Sequence, residues 1–304
     1  MRGLGTVPAA IRARLPQEMS IHGLLAADFV LNPPAESWIK VTPTIDEFNS
    51  IPFFWPPEAQ RLLPGTARRL LEKQQSNFGR DWKHLQSAYP YVPSEDYMHA
   101  WFVVSSRAFY QETQQTLLYP WHDRLAMLPV ADLFNHASVG CKVSYCAESY
   151  DIVADREYGT GDEVCTCYGE HSNDFLLAEY GFLLQNNTND RFDPDDLISS
   201  ELSPEETALL KQLKTLAALD QLCVPATSDK GRVESTPGAI DNVLLQKLLA
   251  KFLEEIKGCR QKVLALDDGK KGYRQLLLQR WDQIDELVRR AIPLSLPSSG
   301  PEST

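Results

Sequence analysis

The chain has 304 residues, 43% of them hydrophobic and six of them Trp, enough to bury a substantial core and to exclude global disorder. Its formal charge of −11 disfavours nucleic acid, whose phosphates need Lys and Arg, and suits either a basic protein partner or plain solubility. No stretch reaches the roughly 18 uninterrupted apolar residues of a membrane span, and Met1 to Pro8 holds no signal-like run. The expectation is a soluble intracellular protein, cytoplasmic or nuclear, that engages neither membrane nor nucleic acid.

Up to about Phe109 the pattern is helical, broken by prolines. Ser20 is a cap for a helix carrying Ile21, Leu24, Leu25 and Phe29, which Pro33-Pro34 ends. Thr66 is positioned to cap a second helix with Leu70, Leu71, Phe78, Trp82 and Leu85 on one stripe. Between them, Ile51-Pro52-Phe53-Phe54-Trp55-Pro56-Pro57 is too rich in proline for a helix interior. A third helix follows Pro93-Ser94-Glu95, with Tyr97, Trp101, Val104 and Ala108 on one side, and ends near Phe109. Arg107, close to its end, either snorkels to solvent or holds an anion, and spacing alone favours the first.

The middle of the chain switches to strand signals. Leu128-Pro129-Val130-Ala131-Asp132-Leu133-Phe134 reads as an apolar strand that stops at Asn135-His136. Val143 with Tyr145, Tyr150 to Ala154 and Val164 to Tyr168 are further short strands, the last preceded by a turn at Gly159-Thr160-Gly161-Asp162. Ser172 is an N-cap for a helix ending at Tyr180, with Gly181 beyond it.

From Asn186 the character changes again. Asp190, Asp193, Asp195 and Asp196 form an acidic loop, and Ser203-Pro204-Glu205-Glu206 is a helix start with a Ser cap and Glu at the third position. Helices are expected over Leu209–Leu222, Val243–Ile256 and Tyr273–Ile292, with Leu277, Trp281, Ile284 and Val288 on one face of the last. A loop from Val224 to Gly238 separates the first two, and the tail beyond Pro293 is expected to be disordered.

The six cysteines, at 141, 146, 165, 167, 223 and 259, form no CxxC pair. Cys165 and Cys167 share one face of an expected strand and could hold a metal only with ligands from elsewhere. Buried free thiols are the simpler reading, and no metal site is expected.

Alone, a His after a strand is more often structural than catalytic, and an Asn there is often only a turn residue. Several stretches occur together, however. They are Ser106-Arg107-Ala108-Phe109, Asp132-Leu133-Phe134-Asn135-His136, Gly161-Asp162-Glu163-Val164, and Tyr168-Gly169-Glu170-His171-Ser172-Asn173 running to Tyr180-Gly181-Phe182. In that order they resemble the SET-domain methyltransferases, particularly the group around Rubisco large-subunit lysine methyltransferase and the ribosomal-protein lysine methyltransferases. The good match covers roughly Ile21 to Arg191, and the C-terminal helices agree in character only.

The resemblance implies an α+β fold. Residues 1–195 would be a SET β-fold with a helical insertion over about 12–100, residues 196–292 a mainly helical region, and 293–304 a disordered tail. In that fold the Asn-His strand and the Tyr segment thread together, with S-adenosyl-L-methionine on one side and a lysine channel on the other. Arg107 would pair with the cofactor's carboxylate, and the backbone from Asp132 through Leu133, Phe134 and Asn135 to His136 would hold its amino and adenine groups. Tyr168 would be the tyrosine at the transfer site, and Tyr145 and Tyr180 walls of the lysine channel. His136 would bond the crossing rather than act as a base.

The chain departs from the family at its start. Gly3-Leu4-Gly5 imitates the family's glycine-rich segment, but Thr6-Val7-Pro8 follows at once, and the strands that usually come next are expected to be missing. The implied function is transfer of a methyl group to lysine in a protein such as a ribosomal protein, elongation factor or histone. The alternatives are a non-catalytic SET-like binding module and a methyltransferase with a histidine acceptor.

Overall fold

The computed structural model describes residues 2–145, 149–193, 203–209, 242–267 and 272–291. After a single turn of helix, α1 (Ala9–Arg12), the first long element is α2 (Ile21–Leu31), and its start shows why it forms there. The Ser20 hydroxyl accepts the Gly23 N–H at 2.9 Å. The buried Asp123 carboxylate accepts the N–H groups of Ile21 and His22 at 2.8 and 3.1 Å. Three of the four amides that a helix start leaves unpaired are thereby satisfied. The short α3 (Glu36–Ile39) and α4 (Pro57–Gln60) follow among the prolines.

Helix α5 (Gly65–Ala88) begins one residue before Thr66, with the Pro64 carbonyl accepting from Arg68, so Thr66 lies inside the helix and is not its cap. Its buried stripe is Ala67, Leu71, Gln74, Asp81 and Leu85, and Trp82 stands only half-buried beside it. Asp81 is tolerated there because the Ser20 hydroxyl and the Trp101 indole N–H donate to it at 2.8 and 3.3 Å. Helix α6 (Ser94–Arg107) starts directly after Pro93 and packs on α2, burying Tyr97, Trp101 and Val104. Ala108 is already extended, so the stripe stops one residue short of expectation.

Two small sheets carry the strands. In the first, β1 (Arg2–Gly3) and β2 (Ala108–Tyr110) flank β3 (Leu125–Met127), both antiparallel to it. Gly3 is thus part of a sheet, paired with Ala126. In the second, β4 (Asn135–Tyr145) lies between β5 (Tyr150–Val153), antiparallel to it, and β6 (Cys165–Thr166), parallel to it. The described residues therefore make a mixed α+β fold with small sheets.

Two strand expectations need correcting. The run from Leu128 to Phe134 is not a strand: Pro129 has no N–H for a ladder, Val130 turns the chain with φ +78°, and Ala131–Leu133 form a 3-10 turn. The strand begins at Asn135, where it was expected to stop. The run from Val164 to Tyr168 pairs only at Cys165–Thr166, which leaves Cys167 exposed just past the strand end instead of buried. Cys141 is buried and Cys165 and Cys259 are half-buried, all as free thiols.

By its internal contacts the chain divides into two compact units. One comprises residues up to Asn49 with Leu71–Glu170, and the other Ser50–Leu70 with the described residues from His171 onward. In the second, α7 (Asn173–Tyr180) is capped by the Ser172 hydroxyl at its start and ends at Gly181 with φ +76°. Glycine is required at 181, because a Cβ there would lie 2.3 Å from Ser50 Oγ and 2.8 Å from the Ser50 carbonyl carbon. A short helix α8 (204–209) opens with reciprocal bonds between Ser203 and Glu206. Helices α9 (Asn242–Leu264) and α10 (Tyr273–Ala291) pack along each other, and Leu277, Trp281, Ile284 and Val288 are all buried as their spacing suggested. No described helix is long and apolar enough to cross a membrane. The expected boundary at 195, the remainder of the helix to Leu222, the loop from Val224 and the tail from 293 lie outside the described residues.

The polar centre of this second unit is Arg280, wholly buried on α10. Its Nε donates to Asp174 at 2.8 Å, one terminal nitrogen to Asp190 at 2.7 Å and the other to the Arg191 carbonyl at 3.1 Å. Asn173 and Gln283 extend the network. Arg280→Met removes the cation but leaves both carboxylates enclosed, so stability should fall by about 3–5 kcal/mol. Urea denaturation of the full chain measures this, and an unchanged midpoint would mean that water already reaches Asp174 and Asp190.

Candidate functional site

Within the first unit, β4 meets the segment after β6 at an unusual ladder. Thr166 is the partner of both His136 and Cys141, with a register irregularity between them, so β4 bends around this point. Gly140 makes the close approach possible. A Cβ on it would stand 2.5 Å from the Cys165 carbonyl oxygen and 2.9 Å from its carbon.

The segment beyond β6 carries Tyr168, which two bonds fix to β4 and to the residue just before it. Its backbone N–H donates to His136 Nδ1 at 3.0 Å, and its hydroxyl donates to the Phe134 carbonyl at 2.6 Å. The two rings lie 5.1 Å apart. The bond from Tyr168 requires a lone pair on His136 Nδ1, which assigns that nitrogen as unprotonated in this arrangement. Burial pushes the Tyr168 hydroxyl above its ordinary pKa, opposed by the positive charge of Arg107. Because its one proton is committed to Phe134, the hydroxyl has only lone pairs left to offer a neighbouring group.

Arg107, in the last turn of α6, reaches the same turn of chain. Its Nη1 donates to the Asp132 carbonyl at 2.7 Å and faces the Asp132 carboxylate at 3.7 Å. Among the described residues, its Nε and Nη2 make no hydrogen bond. The side chain is 20% exposed, so it is held by the protein rather than directed freely to solvent. Asp132 itself is enclosed, and one of its oxygens, Oδ2, takes the Trp38 indole N–H at 2.8 Å while Oδ1 has no donor.

The six expected residues from Arg107 and Asp132 to His136 therefore come together with Tyr168. Their backbone is largely occupied within the protein. The N–H groups of Asp132, Leu133 and Phe134 bond back to Leu128, Val130 and Ala131, and the Asp132 and Phe134 carbonyls serve Arg107 and Tyr168. Leu133 and Asn135 present exposed side chains, and the Asn135 amide donates to Glu163 at 2.6 Å.

Tyr145 and Tyr180 have ring partners of their own. Tyr145 ends β4, four residues and roughly 13 Å of extended chain beyond Cys141. It stacks on Tyr150 at 6.2 Å and meets Tyr110 edge-on at 5.7 Å, while Phe109 abuts Tyr150 at 5.1 Å. Burial, and then the neighbouring Tyr145, push the Tyr150 hydroxyl up to about 12. Tyr180 belongs to the second unit, where its ring meets Phe175 and Phe182. Among the described residues no group of three or more His, Cys, Asp or Glu is arranged as metal ligands would be. Trp38 is the residue that sequence reasoning missed: one Trp in a four-residue helix gives no periodic signal.

No family model matches the chain. Compared with known proteins, it is 24% identical over 241 residues to the ribosomal lysine N-methyltransferase set11 of Schizosaccharomyces pombe, covering 68% of this chain and 62% of that one. It is 31% identical over 147 residues to SET domain-containing protein 4 of Homo sapiens, covering 43% and 33%. It is 27% identical over 189 residues to the N-lysine methyltransferase SETD6 of Homo sapiens, covering 56% and 40%. The chain is thus similar to SET-domain lysine methyltransferases, and the matches span from a third to about three fifths of the length of these relatives.

The tight crossing at Gly140 generates a prediction. Gly140→Ala forces the two backbones apart and should lower stability by about 1–3 kcal/mol, the usual cost of overpacking, read as a drop in Tm of the full chain. An unchanged Tm would mean that β4 and Cys165 do not approach this closely.

Proposed function

We propose that the chain is a protein-lysine N-methyltransferase of SET fold that uses S-adenosyl-L-methionine. The observation that carries this is the fixing of Tyr168 through its N–H to His136 and through its hydroxyl to Phe134, beside an Arg107 with donors unused among the described residues. The similarity to lysine methyltransferases supports the same conclusion.

The residues fit the cofactor's amino-acid end. A carboxylate is what the two unoccupied nitrogens of Arg107 can take, as a fork of parallel donors. When bound, S-adenosylmethionine would supply an electrophilic methyl carbon, which a neutral amine would take in line, the N–C bond forming as the S–C bond breaks and the thioether leaves with its electron pair. The reaction needs alignment and a deprotonated nitrogen more than covalent help. Tyr168 provides the alignment. Its hydroxyl, with the proton turned to Phe134, presents lone pairs that attract an amine N–H or the positive methyl region. His136 spends Nδ1 on holding Tyr168, which suits a structural role for that nitrogen.

The acceptor we propose is a lysine in a basic polypeptide, a ribosomal protein, elongation factor or histone, in keeping with the chain's charge of −11. Tyr145, with Tyr110 and Tyr150, is the aromatic face we assign to the incoming ammonium side chain.

Two substitutions separate transfer from binding. Tyr168→Phe should lower turnover by about 100-fold or more, the usual effect of losing one oriented polar group at a transition state, while calorimetry shows S-adenosylmethionine binding nearly unchanged. Unaltered turnover would remove Tyr168 from the site. Arg107→Ala should weaken cofactor binding by about tenfold or more, as expected for a lost charge-assisted pair. Normal affinity would mean that Arg107 serves only Asp132.

A further inference from the structure

The three-residue link Trp38–Asp132–Arg107 joins a helix of the N-terminal region to the candidate site across 94 and 25 positions of sequence. We propose that the Trp38 indole N–H is a positioning group that holds the Asp132 carboxylate back from Arg107, so that the guanidinium stays available to an anionic ligand. This role rests on the methyltransferase assignment and deepens it, because the anion in question is the carboxylate at the amino-acid end of the cofactor.

The geometry sets up a competition for one oxygen. Asp132 Oδ2 is the atom that Trp38 bonds at 2.8 Å, and it is also the one that stands 3.7 Å from Arg107 Nη1. That separation is too long for a hydrogen bond. The other oxygen, Oδ1, is buried and takes no donor among the described residues. A side chain so enclosed, 0% exposed, gains strongly from any further donor within reach. A strong donor close by is the guanidinium itself, whose Nε and Nη2 make no hydrogen bond among the described residues. Without the indole N–H, the carboxylate would have no donor on either oxygen and would close on Arg107 as a forked ion pair. The donors meant for a ligand would then be used internally.

Trp38 is well placed to resist that closure. It is 8% exposed, sits in α3 and packs edge-on against Phe29 at 6.1 Å. Its position is therefore set by the α2–α3 packing and not by Asp132. Asp132 does not touch the cofactor in this scheme, and Trp38 does not either; both act through Arg107.

The test uses the full chain and two thioether nucleosides that differ at one end. S-Adenosylhomocysteine carries the amino-acid end, and 5′-methylthioadenosine has a methyl group in its place. Trp38→Phe keeps an aromatic ring against Phe29 and deletes the N–H. Calorimetric affinity for S-adenosylhomocysteine should fall by about tenfold or more, the scale of a lost charge-assisted bond, with 5′-methylthioadenosine affected by less than about twofold. Adding Asp132→Asn to Trp38→Phe removes the charge that captures Arg107 and should restore most of the lost affinity. Equal losses for both nucleosides, with no restoration in the double variant, would make Trp38 merely structural and overturn the proposal. So would undiminished binding of S-adenosylhomocysteine by Trp38→Phe. A folded wild-type chain that binds neither nucleoside would instead overturn the methyltransferase assignment, and the positioning role with it.

Discussion

The site depends on one residue being held twice by the start of β4 and the residue before it, more than thirty positions away. Tyr168 gives its amide proton to His136 and its hydroxyl proton to Phe134, so its side chain can neither swing away nor rotate its hydroxyl freely. Both bonds reach a chain that bends so that His136 and Cys141 face the same threonine. That bend exists only because Gly140 lets the Cys165 carbonyl come in where a side chain would be. A hydroxyl so constrained loses little freedom on meeting a ligand, which is what a reaction limited by alignment requires. The orientation also fixes its chemistry, since a hydroxyl that has already donated can only accept.

Each compact unit has an arginine held by its own carboxylates, and the contrast between them is informative. Arg280 is saturated: all three of its nitrogens find oxygen, with Asp174 and Asp190 supplying two negative charges for one positive. Enclosed and bonded at every nitrogen, it acts as a fastening between α7, the loop around Asp190 and α10. Arg107 is incomplete by comparison, bonded once at close range, faced at longer range by Asp132, and partly open to solvent. The oxygen left without a donor in Asp132 belongs to the incomplete cluster. A cluster with an unsatisfied oxygen can respond to a newly bound donor, as a fully paired one cannot.

Much of the helical architecture was legible in local chemistry. Ser20, Ser172 and Ser203 were each readable as caps, and each accepts the amide three residues on. The stripe Leu277, Trp281, Ile284 and Val288 is buried to the last residue. What failed was anything decided by distant partners. Asp81 lies on the buried stripe of α5 because Ser20 and Trp101 supply donors that draw its carboxylate into the core, partners that no local pattern announces. The apolar run from Leu128 to Phe134 looked like a strand because hydrophobicity was counted without the ladder that Pro129 cannot join. Arg107 by spacing was a snorkelling side chain, and only Asp132, far along the sequence, shows that it is held. The grouping of Arg107, Asp132, Asn135, His136 and Tyr168 was found by motif order, not by periodicity. Trp38 had neither, and no sequence pattern pointed to it.

Val130 joins these threads. It is the one non-glycine residue with positive φ among those described, and a β-branched side chain makes that conformation costly, on the order of 1–3 kcal/mol. The side chain is 69% exposed, so no apolar burial of its own compensates for the strain. The compensation has to come from what the turn achieves on either side. It reverses the chain after Met127 leaves the first sheet and delivers Asp132 to Trp38 and Arg107, then Phe134 to Tyr168, before Asn135 enters the second. Five residues of chain satisfy all of these partners, and a relaxed extended backbone would point Asp132 and Phe134 elsewhere. The strained turn is therefore the joint that converts an ordinary apolar segment into one that presents two carbonyls and a carboxylate to the site. The bonds to Arg107, Trp38 and Tyr168 are what hold it in that state.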